Sequence, residues 1–109
     1  MPIYNKLVRD LIPAIIEADN KTCETKILDD ASYRQELQKK LHEELAEYLA
    51  TDNDTEALEE LADLLELLHA LTTVHQSSPA ELELIRARKA EKRGGFAEKI
   101  FLVEVHDHE

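Results

Sequence analysis

From about Asp29 to His75 the chain repeats apolar residues at helical spacing, with a single interruption at Thr51-Asp52-Asn53-Asp54. Ahead of the interruption, Tyr33, Leu37, Leu41, Leu45, Tyr48 and Leu49 recur every three or four residues, which stacks them on one face of an α-helix. Behind it, Leu58, Leu61, Leu65 and Leu68 form one apolar row, and Leu64, Leu67 and Leu71 form a second beside it. Helices are therefore predicted from Asp29, whose side chain caps the first, to about Ala50, and from about Thr55 to Gln76. A polar turn this short obliges the second helix to fold back antiparallel on the first. The predicted core is an αα-hairpin, and the fold class is all-α.

Shorter elements flank the hairpin. Lys6 to Ala18 carries Leu7, Leu11, Ile12, Ile15 and Ile16 at helical spacing, and it reads as a short first helix if Pro13 lies in the first turn. Ser78-Pro79 opens a fourth helix that runs to about Arg93 and stops at Gly94-Gly95. Thr22 to Leu28 reads as extended, and Lys99 to Val105 resembles a terminal strand that could pair with it, ahead of a frayed end from His106 to Glu109. No repeat, low-complexity tract or Gly/Ser linker divides residues 1–109, so a single domain is expected.

Composition narrows the function. With 13 basic residues against 24 acidic ones the formal charge is −11, the opposite of the basic face that nucleic-acid binding requires. No apolar run approaches the ~20 residues of a membrane span. The opening carries Lys6, Arg9 and Asp10 and does not read as a secretion signal, so a cytoplasmic location is expected. The lone Cys23 agrees with a reducing compartment. A phosphate compound could bind so acidic a chain only with metal ions and a few placed cations.

The acids of the hairpin are placed for that purpose. Glu44 and Glu47 border the apolar stripe of the first hairpin helix, with Glu43 about 100° away from Glu44 on the helix. On the second, Glu60 falls within the row of Leu64, Leu67 and Leu71, and Asp63 follows one turn along. A carboxylate among leucines becomes neutral unless a cation holds it ionised. Two pairs at i and i+3 on antiparallel helices, Glu44 with Glu47 and Glu60 with Asp63, can converge as four carboxylates on one hard cation, Mg²⁺, Mn²⁺ or Ca²⁺ rather than zinc. The competing reading is a merely solvated acidic hairpin, against which Glu60 stands.

Glu43-Glu44-Leu-Ala-Glu47, followed after twelve residues by Glu60-Leu-Ala-Asp63, resembles the EExxE…ExxD signature of MazG-type nucleotide pyrophosphohydrolases. Tyr4-Asn-Lys-Leu-Val-Arg-Asp10 with Ile12-Pro13, and Lys92-Arg93-Gly94-Gly95-Phe96, resemble the opening and ending of the short phosphoribosyl-ATP pyrophosphohydrolase-like members. The resemblance implies an all-α enzyme that cleaves a nucleoside triphosphate or related nucleotide between the α and β phosphorus, giving a monophosphate and pyrophosphate. It implies Glu44, Glu47, Glu60 and Asp63 as Mg²⁺ ligands, with Mn²⁺ as a substitute, and Glu43 as either a base for the attacking water or a group orienting a ligand. Lys6 and Arg9, read as one turn apart, and Lys92 and Arg93 at the glycine stop are the candidate phosphate contacts.

The same residues admit other readings. Glu66-Leu-Leu-His69 has the Glu-x-x-His spacing of di-iron bundles but occurs once, where two copies are needed, so a packed core histidine is the better reading. An acidic helical module that binds a protein partner is the non-enzymatic alternative. The leucines of the second hairpin helix cover more than half its circumference, more than one partner helix and two short ones can bury. A homodimer or homotetramer is therefore expected, with two hairpins completing a four-helix bundle, as MazG-type proteins similarly do.

Overall fold

A computed structural model describes residues 2–107; His108 and Glu109, half of the expected frayed end, lie outside them. The chain is all-α, with helices α1 (Ile12–Ala18), α2 (Asp30–Leu49), α3 (Asp54–Val74) and α4 (Pro79–Arg93). Three of the four begin at a side-chain cap. Asp29 accepts from the backbone N–H of Ser32, Asn53 from that of Glu56, and Ser78 from that of Glu81, each satisfying a donor that the first helical turn leaves free. Pro79 supplies no N–H and stands in the first turn of α4, where none is needed.

α2 and α3 pack along one another as the hairpin, α4 touches only α3, and no other helix pair is in contact among the described residues. Leu37 is the one fully buried apolar side chain among those residues, at 2% exposure. Tyr33, Leu41 and Tyr48 of the same stripe are half-buried, while Leu45 and Leu49 near the turn are exposed. On α3 the two leucine rows part company. Leu64, Leu67 and Leu71 are half-buried toward the packed side, whereas Leu58, Leu61, Leu65 and Leu68 remain between 42% and 66% exposed.

Two sequence expectations are corrected. The first helix starts at Ile12 rather than Lys6. Pro13 sits at its N-terminal turn, and its ring would clash with the Arg9 carbonyl if the helix extended upstream. That carbonyl instead accepts from the Ile12 N–H in a turn, and Asn5 takes a left-handed φ of 43°, so Lys6 and Arg9 are not one helical turn apart. The pairing of Thr22–Leu28 with Lys99–Val105 is also absent: both segments are irregular and, apart from half-buried Leu28, exposed. A strand pair needs a surface that covers one of its faces, and the hairpin does not extend beneath either segment.

The chain is far from a compact monomer. Its radius of gyration is 19.2 Å and its longest extent 72 Å, against a radius of about 13 Å for a compact domain of this length. Its accessible surface is 10236 Å², whereas a compact monomer of this mass exposes about 6,200 Å². No helix is long and apolar enough to cross a membrane among the described residues.

Candidate functional site

The hairpin turn sets the register of the acids. Glu44 and Glu60 lie eight residues before and after Asp52, so folding about the turn brings them opposite one another across the α2–α3 seam. Glu47 stands one turn along α2 on nearly the same face. One carboxylate oxygen from each of Glu44, Glu47 and Glu60 lies within 4.8 Å of the others. Oxygens on a single Mg²⁺ are about 3 Å apart when neighbouring and about 4.2 Å when opposed, so one ion could hold all three if it drew the carboxylates inward.

The electrostatics of this trio are unfavourable without a cation. Glu44 and Glu60 are half-buried, and the Oε2 atom of each is buried with no hydrogen-bond partner among the described residues. Burial, the close approach of the Glu60 carboxylate and repulsion from Glu47 and Asp63 push the Glu44 carboxyl up to about 7. Orphaned buried acceptors on facing helices are costly. A hard divalent ion answers each feature: it takes oxygen ligands only, satisfies the two orphaned atoms and offsets the mutual repulsion. The donor set therefore fits Mg²⁺ or Mn²⁺.

Asp63 lies apart from the trio. Its carboxylate accepts a 2.6 Å hydrogen bond from the Arg9 guanidinium, which also approaches Glu66 at 3.9 Å. Sequence spacing set Asp63 one turn from Glu60 as a fourth converging carboxylate and gave no sign of this pair, whose members are 54 residues apart. Glu66, read from sequence only as half of a Glu-x-x-His motif, thus faces Arg9. No group of three or more potential ligands includes His69 among the described residues, and His69 is half-buried on the face of α3 away from Leu64, Leu67 and Leu71.

The remaining expected residues are dispersed. Glu43 is exposed beside Glu44 and outside the trio. Lys6 holds its ammonium 5.2 Å above the Tyr4 ring, a cation–π arrangement on the exposed N-terminal segment. Lys92 and Arg93 line an open depression at the far end of α4 with Arg88 and Lys89, and no ion pair joins them to the hairpin acids among the described residues. Cys23 is free and exposed.

No protein-family model, no curated protein and no solved structure matches the chain. The likeness to MazG-type enzymes rests on the motifs in the sequence, beside which stands the convergence of Glu44, Glu47 and Glu60.

Proposed function

We propose that the chain is a Mg²⁺-dependent nucleotide pyrophosphohydrolase of the MazG-like kind, acting in the cytoplasm as a homodimer or homotetramer. The observation that carries the reading is the meeting of Glu44, Glu47 and Glu60 across the hairpin, with two buried oxygens that no group among the described residues satisfies. Glu44, Glu47 and Glu60 would hold the metal, with Asp63 able to join them from the adjacent turn. Bound there, Mg²⁺ would neutralise phosphate oxygens and lower the pKa of a water molecule.

The protein's own side chains do the remaining work. Glu43, exposed next to a ligand, accepts the proton of the attacking water as that water adds to phosphorus. The phosphoanhydride bond then breaks, and a monophosphate and pyrophosphate leave. Arg9, paired with Asp63 one turn from Glu60, is the first candidate for a phosphate oxygen. Lys6, Lys92 and Arg93 could join it only through movement of the N-terminal segment and α4, or from another copy of the chain. The outer leucine row of α3 and the excess exposed area support assembly, since about 2,000 Å² or more is what obligate homodimers bury. A purely adhesive acidic module would account for that row but would leave the Glu44 and Glu60 oxygens without a purpose.

The test is pyrophosphate release from a panel of canonical and modified nucleoside triphosphates, with Mg²⁺ or with EDTA, in the wild type and in Glu60→Gln. Release that requires Mg²⁺ and falls at least about 100-fold in Glu60→Gln is expected. Release from no nucleotide, or release indifferent to EDTA, would overturn the proposal.

A further inference from the structure

Arg9 occupies an unusual place for a residue expected at a phosphate. Its guanidinium hydrogen-bonds Asp63 at 2.6 Å and lies 3.9 Å from Glu66. Asp63 is the one member of the acid quartet missing from the converging trio, although it sits one turn from Glu60 and its charge bears on Glu44. The fourth carboxylate is thus held by a side-chain cation, while none pairs with the other three among the described residues.

The contact is built to be given up. Arg9 and Asp63 are 56% and 41% exposed at the side chain, and an ion pair that wet is worth about 0–1 kcal/mol. Arg9 precedes α1, in an irregular segment, and α1 touches no other helix among the described residues. Neither helix of the hairpin has to unwind for Arg9 to leave.

Resting on the metal reading above, we propose that Arg9 is an exchangeable internal cation. It neutralises Asp63 in the metal-free protein, yields that carboxylate to the divalent ion as the fourth ligand, and turns to a phosphate oxygen of the nucleotide that the ion brings in. The exchange couples the two binding events. Metal displaces Arg9 from Asp63, and the displaced guanidinium, a fork suited to two phosphate oxygens, favours the substrate only after metal has bound.

The test is Mn²⁺ binding to the full-length chain without nucleotide, followed by electron paramagnetic resonance, in wild type, Arg9→Gln, Asp63→Asn and the double variant, with circular dichroism to verify helicity. Arg9→Gln should tighten Mn²⁺ binding about two- to fivefold, the worth of the competing pair, and should have no effect once Asp63 is Asn. In pyrophosphate release, the same Arg9→Gln should raise KM for the nucleotide despite the tighter metal. A wild type that binds no Mn²⁺ overturns the metal reading itself. A wild type that binds Mn²⁺ while Arg9→Gln leaves affinity unchanged, weakens it, or tightens it equally with Asn at position 63 overturns the exchange alone, and an unchanged KM overturns the transfer to phosphate.

Discussion

The two leucine rows of α3 are alike in composition and opposite in circumstance. Leu64, Leu67 and Leu71 turn toward the packed side and are half-buried, whereas Leu58, Leu61, Leu65 and Leu68, one strip further round, are exposed. The inner row shares its face with Glu60, the outer row with no acid of the site. The difference teaches that the hairpin is complete on one side only. A single partner helix is enough to shape the acid trio, but not to cover an apolar helix as broad as α3.

The largest effect should come from breaking the outer row. If it is an interface, Leu61→Asp with Leu65→Asp should convert an oligomer to monomer in light scattering at micromolar concentration, because two buried charges per protomer cannot be paired across a leucine seam. A wild type that is already monomeric would remove that face from the assembly. Breaking the inner side should unfold rather than dissociate. Leu37→Ala, at the most buried apolar position of the hairpin, is expected to cost about 2–5 kcal/mol in denaturant melts, and a cost near zero would mean that the α2–α3 seam is not the core.

A smaller effect sharpens the role of the acid on the inner side. Glu44 is held up to about 7 in the fold against 4.5 ordinarily, so the folded chain binds this proton more tightly than the unfolded chain. Its contribution therefore favours folding below about pH 4.5 and is lost as pH rises through about 7. Between pH 5 and pH 8 the Tm of the metal-free wild type should fall more than that of Glu44→Gln, and Mn²⁺ should restore it at the upper end. Parallel pH profiles for the two proteins would count against a strained carboxyl at this position.

The smallest effect compares caps. Asn53 caps a helix of the packed hairpin and Ser78 a helix that touches only α3. Asn53→Ala should lower global stability by about 1 kcal/mol. Ser78→Ala should reduce helical signal from α4 with little change in the main transition, and equal shifts in both would show that α4 belongs to the same cooperative unit.

What could be read from sequence follows how local each determinant is. Helices α2, α3 and α4 were legible to within a residue or two because apolar spacing, Asp29, Ser78-Pro79 and the polar turn all act within a few positions. Of the four acids that i and i+3 spacing on the two helices predicted to converge, Glu44, Glu47 and Glu60 come together and Asp63 does not, because Arg9 holds its side chain. The first helix was drawn too long because the apolar pattern through Leu7 and Leu11 ignores where Pro13 permits a helix to start. The β-pair between Thr22–Leu28 and Lys99–Val105 failed because pairing depends on a covering layer that neither segment encodes. Arg9 on Asp63 had no signal at all, since nothing in either neighbourhood specifies a partner 54 residues away.

The most direct measurement is a calorimetric titration of the metal-free chain with Mn²⁺ at pH 8, where Glu44 is ionised, in the wild type and in Glu60→Gln. A metal centre across the hairpin requires saturable binding in the wild type that weakens by at least about tenfold in a folded Glu60→Gln. Absence of saturable binding, or equal binding by both proteins, would contradict it.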